Sequence, residues 1–367
     1  MLRDFGFGKP ILEDTIIDQA KEIQKLLKSL DGKPVDLTKV LTTAVGNIIH
    51  QLTFGYTVPL ESNQILDIRN LMMENGTFFL SPLGLLVELW PGFRHLDPIF
   101  GYSYKKSREL GEKIESFAIK EIEKHREHMN FDAEPRDYIE AFLIEQKKQG
   151  YENIKQGEWS DKQLVSAVLD LFGAGTETTS TTIRTFILYM IRNPTLQDVL
   201  YSEIITVIGD DKPITMNDQQ SLPFLQACIQ EIQRILVLVK MNLQHKTLDD
   251  IFIEGYKIPK DTNIVGQFQS IHLDDDCFSN PKEFNPFRHL KNGKFVKNDL
   301  ITPFSVGKRS CLGEGLAKME LVLFIGNLFQ KFKFLPENDG ELPPIKFGKA
   351  MINAPDAFKT RVFSRKQ

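Results

Sequence analysis

Residues 304–315 read FSVGKRSCLGEG, and the apolar stretch LAKMELVLFIGNLF follows them directly. This order places Cys311 in a glycine-rich loop immediately before a predicted helix. Free backbone N–H groups and the helix dipole favour a thiolate at such a position. Gly307 and Gly313 allow the backbone to approach a flat, bulky ligand, and the Arg309 guanidinium can pair with a carboxylate of that ligand. A buried structural cysteine beside a glycine turn is the alternative interpretation.

Residues 161–192 are predicted to form one long helix. Ser160 followed by Gln163 gives a capping-box start, and Pro194 ends the apolar periodicity. At about 1.5 Å per residue this helix is ~48 Å long, which is enough to cross a whole domain. Its middle, FGAGTETTSTT at 172–182, is rich in residues of low helix propensity. We therefore expect these residues to serve a purpose other than helix formation.

Thr178 lies one helical turn after Ala174, so its hydroxyl can bond the Ala174 carbonyl. That bond bends a helix and opens a groove beside small residues such as Gly175, and dioxygen fits a groove of this size. A threonine-rich packing face is the alternative, because hydroxyl residues often make this bond inside helices.

Composition limits the function classes. The chain has 367 residues, 41% hydrophobic residues and a net charge of -4, which describes one large globular domain and does not suggest a nucleic-acid partner. Its three cysteines fit neither a disulfide framework nor a zinc site, which indicates a reducing compartment. The apolar stretch 78–93 is broken by prolines and charge, so we predict no membrane span.

Apolar periodicity predicts further amphipathic helices, one through Ile16 to Leu30 and one from Leu110 to about His128. His125 and His128 lie among charges on the second, so we predict both on the surface. Residues 241–268 alternate in the manner of strands, with turn residues between them. The predicted fold class is therefore mostly α with a small β subdomain.

The pattern F-x-x-G-x-R-x-C-x-G at 304–313 resembles the haem-binding signature of cytochromes P450, and the resemblance extends over the whole chain. The most similar members are microsomal family-2-type enzymes. The resemblance implies a single cytochrome P450 domain over 1–367 with haem b as cofactor. Cys311 is then the axial iron ligand, Phe304, Gly307 and Gly313 shape the loop, and Arg309 binds a propionate.

The segment A-G-T-E-T-T at 174–179 is similar to the family's oxygen-helix motif. The resemblance implies that Ala174 and Gly175 contact the cofactor and that Glu177 and Thr178 form the catalytic proton-delivery pair.

Two further sites follow from the resemblance. Glu231 and Arg234 match the family's E-x-x-R, which pairs with a downstream arginine, here Arg288, as structural support for the haem loop. By spacing alone, most such pairs are solvated surface salt bridges worth ~0–1 kcal/mol. His245 corresponds to a histidine that contacts a haem propionate, although Lys240 and Gln244 replace the usual prolines.

The implied function is insertion of one oxygen atom from dioxygen into a hydrophobic small molecule such as a xenobiotic, steroid or fatty acid. Electrons come from NADPH-cytochrome P450 reductase, with cytochrome b5 as a second donor, at the cytosolic face of the endoplasmic reticulum with peripheral membrane contact. No dinucleotide-binding glycine motif follows a strand, which fits an external electron source. Lys308 and Lys318 are candidate docking residues, and solvated lysines are the alternative. A hydride-transferring or cysteine-nucleophile enzyme is the rival class.

The first residues, Met1–Gly6, resemble the segment after the family's W-x-x-x-R helix, so we expect the front of the domain, with its membrane anchor, to be missing. Trp90 and Arg94 repeat that spacing among helix-breaking residues and are not its equivalent. Expressed from Met1, the chain is expected to bind haem poorly and turn over little. A haem-poor, inactive fragment is therefore the alternative function.

Overall fold

The computed structural model describes residues 11–79, 81–150, 157–240, 242–348 and 352–365, so the segment Met1–Gly6 lies outside the described residues. Within these ranges the chain forms eleven α-helices, and the strands make up four small antiparallel sheets. The helices are α1 Ile11–Leu30, α2 Thr38–Phe54, α3 Gln64–Phe79, α4 Pro82–Leu89, α5 Ser103–His128, α6 Tyr138–Lys148, α7 Asp161–Arg192, α8 Pro194–Val207, α9 Pro223–Leu236, α10 Gln269–His272 and α11 Glu314–Lys331. The strands are β1 His245–Lys246, β2 Ile251–Ile253, β3 Tyr256–Ile258, β4 Asn263–Ile264, β5 Leu290–Lys291, β6 Lys294–Phe295, β7 Phe332–Pro336 and β8 Thr360–Ser364.

Helix α7 is the central element. The predicted long helix is confirmed over Asp161–Arg192, and the Ser160 hydroxyl accepts the Gln163 N–H as its cap. Beyond Thr179 every residue of α7 to Ile191 is buried, because α2, α5, α9 and α11 all pack against it. Hydrophobic side chains of these helices form one continuous core.

The β structure is small, as predicted. Strand β1 pairs with β4, with His245 opposite Ile264, and β2 pairs with β3 as a hairpin. Strand β7 pairs with β8 over five residues each, with Phe332 opposite Ser364. The sequence did not indicate this last sheet, because its strands lie far apart along the chain.

The surface prediction for His125 is wrong, because its side chain is only 9% exposed. Nδ1 lies 2.6 Å from the Glu121 carbonyl and Nε2 lies 3.2 Å from the Asp137 carboxylate. Burial opposes a charge on the ring, but the hydrogen bonds to Asp137 and to the Glu121 and Phe54 carbonyls, together with the Asp137 charge, outweigh it and raise the pKa to about 9. His125 is thus a buried imidazolium that ties α5 to the start of α6, whereas His128 is exposed as predicted.

Helix α11 carries a buried acid toward α7. Glu320 is 1% exposed and contacts Thr179, and its Oε1 has no hydrogen-bond partner within the described residues. Burial raises the pKa of Glu320 to about 8, so the side chain is neutral at pH 7.

The raised pKa makes stability depend on pH. Between about pH 4.5 and pH 8 the folded chain holds a proton that the unfolded chain releases, so Glu320 makes stability fall by up to ~1.4 kcal/mol per pH unit as pH rises. Urea unfolding of the Glu320→Gln variant should lack this contribution, and Glu314→Gln on the same helix should keep it. An identical pH slope in Glu320→Gln and the parent would contradict a buried neutral acid.

Candidate functional site

The cysteine loop is closed by its own backbone. The Cys311 N–H donates to the Phe304 carbonyl at 2.8 Å, and the Ser310 N–H donates to the Gly307 carbonyl at 3.1 Å. Gly307 has φ +81°, a conformation that side chains with a Cβ rarely adopt. The loop therefore needs glycine at 307, and its closure presents the thiol just before α11 begins at Glu314.

An apolar cleft that opens to solvent lies between α7 and α11. Of the predicted site residues, Thr178 and Phe304 line this cleft; Cys311, Arg309, Ala174, Gly175 and His245 do not. The lining residues come from α7, α9, α11 and the segments between them: Thr178, Thr179, Thr182, Gln233, Leu236, Val237, Leu238, Val239, Phe268, His272, Pro303, Phe304, Ala317 and Leu321.

The donor set fits iron protoporphyrin. Cys311 and Arg309 are both exposed, which makes a sulfur ligand and a carboxylate-binding cation accessible on one loop. Phe304 connects this loop to the cleft, because its carbonyl holds the Cys311 N–H while the residue lines the cleft wall. The apolar lining suits a porphyrin face.

The predicted hydroxyl bond on α7 is present. Thr178 Oγ1 donates to the Ala174 carbonyl at 2.8 Å, and Ala174 is exposed. Gly175 lies on another side of the helix, where an added Cβ would come within 2.5 Å of the Ile49 side chain. Gly175 thus allows close packing of α7 against α2.

Glu177 is buried against α3, whereas Thr178 lines the cleft. Its carboxylate receives two bonds from Arg69 of α3, Nε to Oε2 at 2.5 Å and Nη2 to Oε1 at 2.6 Å, and one from the Thr181 hydroxyl at 2.9 Å. The Glu177 side chain is buried, and Arg69 is largely so. No sequence signal identified Arg69, because it lies 108 residues before its partner.

Glu231, Arg234 and Arg288 form one buried cluster. Arg234 contacts both Glu231 oxygens, at 2.9 and 2.8 Å, and Arg288 Nε lies 3.1 Å from Oε1. His289, which sequence reasoning missed, donates from Nε2 to Oε2 at 2.7 Å, since its Nδ1 accepts from the Gln230 amide. Burial alone would raise the pKa of Glu231, but the bonds from Arg234 and His289 lower it to about 2.

The cluster connects to the cysteine loop through His272. Arg234 Nη1 donates to the His272 carbonyl at 2.6 Å, and His272 Nε2 accepts the Thr302 N–H at 3.1 Å. Burial and the nearby Arg234 charge lower the pKa of His272 to about 4, so the ring is a neutral acceptor. Thr302 in turn stands two residues before Phe304. No motif indicated this role for His272.

His245 is exposed in β1, with Nδ1 2.8 Å from the Leu243 carbonyl. The contact from this segment to the cysteine loop comes from Asn242, whose amide donates to the Ser305 hydroxyl at 2.9 Å. Ser305 has φ +62°, so this bond holds an unusual turn of the loop. Sequence reasoning passed over Asn242.

Among the described residues, no helix has both the length and the apolar character needed to cross a membrane.

Comparison with known proteins identifies the family of this chain. The family model described as Cytochrome P450 matches residues 1–362. The chain is 34% identical to probable cytochrome P450 CYP36A1 of Caenorhabditis elegans, over 100% of this chain and 74% of that protein. It is 36% identical to cytochrome P450 2J5 of Mus musculus, over 98% of this chain and 70% of that protein. It is also 36% identical to cytochrome P450 2C44 of the same species, over 99% of this chain and 73% of that protein. The chain therefore belongs to the cytochrome P450 family and is a haem-thiolate monooxygenase with haem b as its cofactor.

Proposed function

We propose that residues 1–367 act as one catalytic domain in which Cys311 ligates haem iron and the α7–α11 cleft holds a hydrophobic substrate. The proposal depends on the position of Phe304. This residue lines the cleft, and its carbonyl accepts the N–H of Cys311 in the cysteine loop. Xenobiotics, steroids and fatty acids are the substrate classes that fit a lining of leucine, valine and phenylalanine.

Each polar group at the site has a proposed task. Haem b, when bound, would supply the iron at which dioxygen is activated. Cys311 would hold that iron through its sulfur, and Arg309 and His245 would hold the propionates. Thr178 holds a proton at Oγ1 beside Ala174, while Glu177 supplies protons from the neighbouring position. Because Arg69 binds both Glu177 oxygens, that carboxylate must exchange a bond before it passes a proton onward.

Electron delivery is proposed at the face that carries Lys308 and Lys318. Both lysines are exposed, and Lys318 Nζ, which also bonds Glu314 Oε1 at 2.6 Å, lies 5.7 Å from the Phe304 ring, close to the cysteine loop. This arrangement supports docking of an acidic partner, namely NADPH-cytochrome P450 reductase, with cytochrome b5 as a second donor.

An apolar surface at α4 and at the 3-10 helix Pro91–Phe100 that follows it supports peripheral contact with the cytosolic face of the endoplasmic reticulum. Leu89, Trp90 and Ile99 are 80%, 63% and 78% exposed, and Leu85 adds to the same region. Large exposed apolar side chains that cluster in this way mark interaction surfaces.

Cys311→Ser should abolish the red-shifted absorption band of the reduced carbon monoxide complex, because a neutral hydroxyl cannot replace a charged sulfur donor. Cys277→Ser, which removes another exposed cysteine, is the matched control and should keep the band. An unchanged band in Cys311→Ser would remove Cys311 as the ligand. Less than one haem per parent chain would instead support the haem-poor alternative.

Thr178→Ala should keep haem but divert NADPH electrons into peroxide. Proton transfer by a positioned group contributes about 10²- to 10⁴-fold, so product per NADPH should fall by at least about tenfold. Thr182→Ala is the control, since Thr182 lines the same cleft and bonds the Thr178 carbonyl in the same manner. Equal coupling in both variants would exclude the proton-delivery role.

Charge reversal at Lys308 and Lys318 should slow reduction by the reductase, and more strongly at low salt, since exposed charges are screened over ~10 Å at moderate ionic strength. Reversal of Lys105 and Lys106 on α5 is the control and should have no such effect. Stopped-flow reduction at several salt concentrations measures this, and a salt-independent change would count against docking at this face.

A further inference from the structure

A strained turn forms part of the cleft wall. Helix α9 ends at Leu236, and the next residue, Val237, has φ +42° and ψ +61°. A branched Cβ disfavours this left-handed conformation, which glycine and asparagine adopt far more readily. Val237 is buried and lines the cleft together with Leu236, Leu238 and Val239. Such a turn persists only where its surroundings hold it.

Asn353 holds this turn from behind. Its Nδ2 donates to the Leu236 carbonyl at 2.7 Å, and its backbone N–H donates to the Leu238 carbonyl at 2.8 Å. One residue therefore holds the peptide group that precedes Val237 and the peptide group that follows Leu238. Asn353 is 8% exposed, and its Oδ1 has no hydrogen-bond partner within the described residues. The side chain therefore acts by donating its amide hydrogen to Leu236.

The segment that carries Asn353 is anchored in turn. The Ala354 carbonyl accepts the Gly348 N–H at 3.0 Å, and the Pro355 carbonyl accepts Arg184 Nη2 at 3.0 Å. Arg184 is buried in α7, the helix that also carries Thr178. The wall at Val237 is thus positioned relative to the helix on the other side of the cleft.

We infer that Asn353 is a positioning residue that fixes the apolar wall Leu236–Val239 and so makes the cleft discriminate between ligands by shape. This inference rests on the proposed function, because it takes the cleft as the place where substrate meets haem. Asn353 does not line the cleft, so its influence on a ligand passes through the Val237 turn.

The test compares two iron ligands in the haem-loaded protein. Imidazole is the small probe, and 4-phenylimidazole adds a phenyl group whose fit would depend on the shape of the apolar wall. Asn353→Ala removes the bond to Leu236 and keeps the backbone bond to Leu238. Since a methylene-sized misfit in an apolar pocket is worth about 10- to 200-fold, spectral titration should show 4-phenylimidazole weakened about tenfold and imidazole unchanged.

Val237→Gly tests the strain directly, because glycine adopts φ +42° without the Cβ penalty. In the Val237→Gly background, Asn353→Ala should change the affinity ratio of the two ligands by less than about threefold relative to Val237→Gly alone. Equal weakening of both ligands by Asn353→Ala, an unchanged ratio, or no rescue by Val237→Gly would overturn the inference.

A second readout is independent of haem and of ligand binding. In thermal unfolding, Asn353→Ala should lower Tm clearly in the parent and much less in the Val237→Gly background, since contacting residues couple. Additive effects would overturn the inference, as would failure of the double variant to fold. Loss of haem or imidazole binding in the parent protein would contradict the proposed function instead, while this Tm comparison would still decide the role of Asn353.

Discussion

One buried carboxylate organises the half of the chain that presents the cysteine. Glu231 is fully buried, and its carboxylate accepts hydrogen bonds from the side chains of Arg234, Arg288 and His289 and from the Asn285 N–H. An isolated buried charge is costly, so the carboxylate is stable only when all these donors are in place. Those donors come from α9 and from residues 285–289, two segments separated in sequence. Their shared bonds to Glu231 hold these two segments together. Arg234 also donates to the His272 carbonyl, and His272 accepts the Thr302 N–H just before the cysteine loop.

The site combines two kinds of order. Helix α7 is held by apolar packing on almost every side, and only the face with Ala174 and Thr178 is left open. The cysteine loop has little apolar burial and depends on hydrogen bonds, from Cys311 to Phe304 and from Asn242 to Ser305. A rigid hydroxyl-bearing helix thus faces a loop whose shape polar contacts determine. This division suits the proposed roles, because a hydroxyl that delivers protons would need fixed geometry, while a sulfur ligand must remain accessible to a cofactor.

The sequence predicted those features whose causes are local. The bounds of α7 follow from the Ser160 cap and Pro194, and the Thr178 bond follows from helical spacing. Contacts between distant segments were not predictable from periodicity, which is why Arg69, His272, His289 and Asn353 were missed. His125 shows the same limit: its helix is charged, but Asp137 from the next element covers the ring. Glu177 was correctly located on the helix, yet its ion pair could not be foreseen.

The central claim is that a cysteine sulfur of this chain ligates haem iron. X-ray absorption fine structure at the iron edge of the haem-loaded protein tests it most directly, because sulfur and nitrogen neighbours scatter differently and lie at different distances. We expect one sulfur neighbour in addition to the four porphyrin nitrogens, and we expect its loss when Cys311 alone is replaced. A first shell of nitrogen and oxygen only in the parent protein, or a sulfur neighbour that survives replacement of Cys311, would contradict it.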